Sequence, residues 1–143
     1  MRYLFVVIDY HSKWTYYTFQ ENSTCEKVVT FLEKTFVVEG LPKEIVTDNG
    51  PQFTSTVFNN FFKKLTITHL MVALYSPNSN GLVERMNRFI KEGIQTAVTS
   101  GCNVAEFVKQ KVWSYNISPQ STTGVSPFSL LRGRQPSSLV LPP

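Results

Sequence analysis

Glu44-Ile45-Val46-Thr47-Asp48-Asn49-Gly50-Pro51 joins two kinds of backbone. Ile45, Val46 and Thr47 are β-branched and suit a short strand, whereas Asp48-Asn49-Gly50-Pro51 is dense in the residues that turns demand. Beyond the turn, Val57, Phe58, Phe61, Phe62 and Leu65 recur at the spacing of one helix face. Strand, turn and amphipathic helix in succession form the unit from which α/β folds are built.

Working outward from that unit, the same alternation continues on both sides. Upstream, Arg2 to Asp9 is an almost unbroken apolar run that predicts a strand buried on both faces. Tyr10 to Lys13 reads as a hairpin turn and Trp14 to Gln20 as the returning strand. Ser23 or Thr24 can cap a helix carrying Val28, Val29, Leu32 and Phe36, with Gly40 and Pro42 as its stop. Downstream, Thr66 to His69 predicts a further short strand, and Ser76-Pro77-Asn78-Ser79-Asn80-Gly81 is a loop. A long helix follows over Leu82 to Thr99, ended by Gly101, and another over Val104 to Tyr115. The Pro-, Ser- and Thr-rich segment from Ser118 to Pro143 accommodates one helical turn at Pro127 to Leu131.

A chain of 143 residues, 42% hydrophobic, can bury one core. The expected organisation is a single α/β body over residues 1–117 with a mostly irregular extension over 118–143. Asp9 ends the run Leu4 to Ile8 too soon for a signal-peptide core or a membrane span, so the expected chain is soluble and intracellular, without a membrane partner. Cys25 and Cys102 stand alone, outside any CxxC or His-paired spacing, and are expected as buried thiols. With His11 and His69 the only histidines, there is no His-His-Cys-Cys zinc module. The net charge of +4 is compatible with a polyanionic partner and gives no hint of a small-molecule substrate.

Two acids stand out chemically. Asp48 lies where a strand ends and a turn begins, the place where open α/β sheets build their sites, although Asp also favours turns for local reasons. Glu84 lies in the first turn of the long helix, where a carboxylate offsets the macrodipole. Glu84, Asn87, Arg88, Lys91 and Gln95 form one polar stripe. Two readings stay open for that stripe: a Glu84–Arg88 pair on a solvated face, or a carboxylate completing an all-oxygen divalent-cation site with cations ready for phosphates.

The strings Ile45-Val46-Thr47-Asp48-Asn49-Gly50-Pro51-Gln52-Phe53 and Tyr75-Ser76-Pro77-Asn78-Ser79-Asn80-Gly81-Leu82-Val83-Glu84-Arg85-Met86-Asn87-Arg88 resemble the two signature blocks of the retroviral and gypsy-type retrotransposon integrase core. The 35 residues between Asp48 and Glu84 are the spacing of that family's acidic motif. Val6 to Trp14 resembles its second strand and hairpin, and Ser126 to Arg134 with Pro136 resembles the segment that closes the core in gypsy-type elements.

The resemblance implies an RNase H-like fold, a mixed sheet flanked by helices, used for phosphodiester strand transfer in DNA integration. In that family three acids hold two Mg²⁺ or Mn²⁺ ions. Asp48 and Glu84 match the second and third, and Asn49, Tyr75, Asn80, Asn87, Arg88 and Lys91 match positions near the metals or the DNA. The first acid belongs to a strand preceding the one that Arg2 to Asp9 resembles, so the expected fold lacks its first, central strand. Asp9 is expected to serve the turn after it. The segment Arg2 to Asp9 is then expected either to pair directly with Glu44 to Thr47 or to leave the chain unstable. Three readings follow: a truncated or inactive integrase core; a host-adopted DNA- or protein-binding domain without catalysis; or an enzyme in which Asp9 or another acid replaces the lost ligand. DNA as partner, self-association and nuclear action are implied by the family.

Overall fold

The computed structural model describes residues 3–22, 24–48, 50, 53–71 and 81–137. Its elements run β1 (Tyr3–Ile8), β2 (Thr15–Gln20), α1 (Cys25–Glu39), β3 (Glu44–Thr47), α2 (Thr56–Lys64), β4 (Thr68–Met71), α3 (Gly81–Thr99), α4 (Val104–Ile117) and α5 (Pro127–Arg132). The chain divides into two compact units, one of Met1–Phe5 with Tyr17–Gly81, the other of Val6–Tyr16 with Leu82–Pro143.

In the first unit, β3 and β4 pair in parallel, with Glu44 opposite Thr68, Ile45 opposite His69, Val46 opposite Leu70 and Thr47 opposite Met71. A parallel pair needs a crossover, and α2 supplies it. Ser55 starts that helix by accepting a hydrogen bond from the Phe58 N–H, and Lys63 and Lys64 sit at its negative end. Phe58 and Phe62 are fully buried and turn their rings toward His69, with centroids 6.3 and 4.9 Å away. One strand boundary differs from expectation: Thr66 and Ile67 do not open β4. Thr66 takes a positive φ of 60°, and the N–H groups of Thr66 and Ile67 bond back to Lys63 O and Phe62 O. Those two residues satisfy the last carbonyls of α2, and the strand starts at Thr68.

α1 buries Val28 and Leu32 and ends at Gly40, whose φ of 89° suits a residue without Cβ. Thr24 occupies its N-cap position, but no side-chain cap bond forms; the Thr24 hydroxyl donates to Asn22 Oδ1 instead. Ser23, the other expected cap, lies outside the described residues. Both thiols differ from expectation. Cys25 is half-buried, with Sγ 3.0 Å from Ser55 Oγ, and Cys102 is exposed in the turn after α3.

In the second unit, α3 buries Met86, Ile90, Gly93 and Ala97. Gly93 weakens a helix interior by about 1 kcal/mol relative to Ala, and its reason is on the neighbouring helix. A Cβ there would meet Lys111 Cδ at 2.6 Å, so the missing side chain makes room for the Lys111 stem, whose Nζ lies over the Phe89 ring. α5 is short but well ended: Ser126 caps it through the Ser129 N–H, Pro127 opens it and Gly133 closes it in the left-handed region.

β1 pairs with β2, and β3 with β4, as two separate two-stranded sheets. No β1–β3 ladder forms among the described residues, so the expected direct pairing of Arg2–Asp9 with Glu44–Thr47 is not what the chain adopts. Two-stranded sheets are marginal alone and need packing partners. At its turn end the β1–β2 hairpin has a specific one: the buried Asn116 side chain accepts from Thr15 N at 3.0 Å and donates to Thr15 O at 3.1 Å. One amide thus does for Thr15 what a neighbouring strand would do. Asn116→Ala leaves both Thr15 main-chain groups buried without partners and is expected to cost about 2–4 kcal/mol. A denaturant midpoint unchanged in that variant would refute the role.

Candidate functional site

β3 carries Asp48 at its C-terminal end, in the first unit. Asp48 is exposed, and its Oδ1 accepts from the Gly50 N–H at 2.8 Å, the local turn that the sequence suggested. No cation pairs with its carboxylate among the described residues. Glu84 stands in the first turn of α3, in the second unit, and is also exposed. Among the described residues Lys109 and Glu106 form a salt bridge at 3.0 Å, and no Glu84–Arg88 pair forms.

The polar stripe on α3 is as expected, with Asn87, Arg88, Lys91 and Gln95 all exposed beside Glu84. On the other side of α3, Met86, Ile90 and Ala97 are buried, whereas Val98 is 65% exposed. Asn49, Tyr75 and Asn80 lie outside the described residues. Among the described residues no three His, Cys, Asp or Glu side chains gather into a metal-holding group. The donor chemistry of each nevertheless suits a hard divalent cation: Asp48 and Glu84 are oxygen donors, and neither has a basic partner among the described residues.

Asp9 behaves as the turn residue that the sequence predicted. Its Oδ2 accepts from the Ser12 N–H at 3.0 Å and from the Ser12 hydroxyl at 2.5 Å, and the hairpin closes through Lys13 N to Asp9 O. That carboxylate is engaged in holding the turn.

Sequence reasoning missed the support behind Asp48. Thr47 is buried, and its hydroxyl lies 3.0 Å from Asp48 O and 2.7 Å from His69 Nε2. A hydroxyl has one proton. If Thr47 donates it to the Asp48 carbonyl, His69 must donate from Nε2, which fixes the neutral ring as the Nε2–H tautomer. The signal was present in the register, since Thr47 and His69 occupy the same face of adjacent parallel strands, but it needed β4 to be placed two residues later than the pattern suggested.

Residues 1–77 match the family described as the integrase core domain. The chain belongs to the integrase core family. The chain is 39% identical to the Gag-Pro-Pol polyprotein of Mason-Pfizer monkey virus over 95 residues, 66% of this chain and 5% of that protein. It is 31% identical to the Gag-Pol polyprotein of avian reticuloendotheliosis virus over 137 residues, 94% of this chain and 12% of that protein. The chain therefore spans a small part of the polyproteins it matches. Among solved structures, the simian T-cell lymphotropic virus intasome in complex with PP2A regulatory subunit B56 gamma superposes with a TM-score of 0.78 at 26% identity, covering 98% of this chain and 50% of that chain. The HTLV-2 integrase catalytic core domain in complex with magnesium, trimeric form, gives 0.73 at 23% identity, covering 90% and 84%. The fold is thus the mixed α/β, RNase H-like fold of retroviral integrase cores. No described helix is long and apolar enough to cross a membrane.

Burial holds the His69 pKa below its usual 6.5. The unfolded chain therefore takes up a proton first as pH falls through about 6.5, and stability declines from there down to the lower folded value. Chemical unfolding between pH 7.5 and 5.5 is expected to show that decline in the parent chain and a smaller one in His69→Gln. Equal pH dependence in both would remove His69 from the account.

Proposed function

We propose that this integrase core serves DNA integration, with Asp48 and Glu84 as the second and third acids of a two-metal site for Mg²⁺ or Mn²⁺. The observation that carries this reading is the state of those carboxylates in a chain of this family: each is exposed and free of any basic partner among the described residues. Bound divalent ions would supply the charge that activates an attacking oxygen and stabilises a leaving one. The chain's own part is to present the two carboxylates. Thr47 and His69 hold the backbone at Asp48, and the N-terminal turn of α3 holds Glu84.

Arg88 and Lys91, one and two turns beyond Glu84 on the same stripe, would take backbone phosphates of the DNA. Asn49, Tyr75, Asn80 and Asn87 belong to the same proposed DNA contact by their place in the motif. Self-association and action in the nucleus follow from this reading. So does the organisation proposed for the chain, a core over residues 1–117 and an extension over 118–143.

Asp9 is held by Ser12 and is left out of the proposed metal site. That observation favours a second reading, a host-adopted integrase-derived domain that binds DNA or protein without catalysing strand transfer.

Mn²⁺ binding followed by water-proton relaxation separates the parts. Asp48→Asn and Glu84→Gln are each expected to weaken binding at least tenfold, and an unchanged affinity would take that residue out of the site. On labelled duplex DNA, Arg88→Gln with Lys91→Gln is expected to reduce the slope of log affinity against log salt by about 1.8, at about 0.9 per phosphate contact. Metal-dependent nicking by the parent chain that disappears in Asp9→Ala would overturn the second reading and return Asp9 to the metal site.

A further inference from the structure

Phe53 closes the first of the two sequence blocks, and its surroundings in the first unit give it a specific task. The Phe53 N–H donates to Gly50 O at 2.9 Å, and the Gly50 N–H donates to Asp48 Oδ1 at 2.8 Å. Two hydrogen bonds thus link the main chain at Phe53 to the side chain of Asp48. The Phe53 ring is half-buried and meets the fully buried Phe58 edge to face, with centroids 5.5 Å apart and planes at 82°.

The other side of Asp48 leads to the same ring. Asp48 O lies 3.0 Å from the Thr47 hydroxyl, that hydroxyl lies 2.7 Å from His69 Nε2, and the His69 ring faces Phe58 at 6.3 Å. Exposed as it is, Asp48 is tied to Phe58 along two routes: through Thr47 and His69 at its main chain, and through Gly50 and Phe53 at its side chain. The first route sets where the residue stands. The second sets which way its carboxylate points, because the acceptor there is Oδ1 itself. An exposed side chain left untied samples several rotamers, and a ligand that must be ordered on binding binds more weakly. One N–H occupies one of the roughly four lone-pair sites of a carboxylate, so most of its capacity stays open to a cation.

We propose that Phe53 is a positioning residue for the Asp48 carboxylate: its ring anchors on the α2 core the turn whose Gly50 N–H orients that carboxylate for a divalent cation. The proposal rests on the reading of Asp48 as a metal-binding acid. Packing alone also places a ring against Phe58, but it predicts a loss of stability and no change in metal affinity or at the Gly50 amide.

The test uses the full chain, with Mn²⁺ titrations followed by water-proton relaxation and amide exchange at Gly50 measured in EDTA. Phe53→Ala is expected to weaken Mn²⁺ binding about tenfold, the lower end of what losing the support behind a metal ligand costs, and to speed Gly50 exchange about fivefold without metal. Phe61→Ala is the control. Phe61 is likewise half-buried and stacks on Phe36 in the same unit, with centroids 6.3 Å apart, and among the described residues no hydrogen bond or ring contact joins it to the Asp48 turn. It is expected to lower the unfolding midpoint and leave both other values as in the parent. Phe53→Tyr keeps the ring on Phe58 and is expected to restore both values. Phe53→Leu keeps apolar cover without a ring edge, and it replaces the alanine variant if that chain does not fold. Equal weakening in the Phe53 and Phe61 variants, or unaltered affinity or Gly50 exchange in the Phe53 variant while Asp48→Asn still weakens binding, overturns the positioning role alone. An Asp48→Asn chain of unchanged affinity overturns the metal reading instead, and with it the purpose given to Phe53.

Discussion

The parallel register of β3 on β4 is the constraint on which the first unit rests. Parallel strands cannot be joined by a tight turn, so Thr47↔Met71 pairing obliges the chain to travel out through a helix and back. That obligation explains the phenylalanines of α2: a crossover helix has to cover one face of a sheet too small to stand alone, and Phe58 and Phe62 do so. It also explains why Thr66 and Ile67 remain with the helix, whose last turn needs them as donors before β4 can begin. Asp48 inherits its position from this arrangement, as the first residue past a strand end whose last member, Thr47, is buried and held by His69.

Much of this was legible in the sequence because local physics and tertiary structure agree. β3 falls at Glu44–Thr47 as read, since three β-branched residues meet a turn cluster with nothing competing. α1 ends at Gly40, the stop that was visible in the sequence. What was not legible was non-local. Nothing in the spacing of Asn116 reveals that its amide will pair with a backbone so far away, and α4 therefore runs to Ile117, past the Tyr115 at which the pattern ends. Cys102 has the composition of a core residue and the position of a loop residue, and position prevails.

The candidate site divides in the same way. Asp48, Glu84 and the cations of α3 can be read from spacing, because a strand end and a helix face are local properties. The pairing of Thr47 with His69 cannot, because it depends on strand register. Asp9 illustrates the reverse danger: it is the conspicuous acid at a strand end, yet two hydrogen bonds from Ser12 tie it to the turn. A carboxylate's sequence position names a candidate, but what it already binds decides its availability.

The Asn116 clamp has a consequence in time. The hairpin it secures is local and can form as soon as its own residues are made, whereas its partner lies 101 residues further on. At about 5–20 residues per second of synthesis, the Thr15 main-chain groups wait about 5–20 s for that amide. Phe128, against which Trp14 packs, emerges later still. During that interval the nascent chain presents an apolar ribbon with an open edge, so the last quarter of the sequence is needed by its first strands.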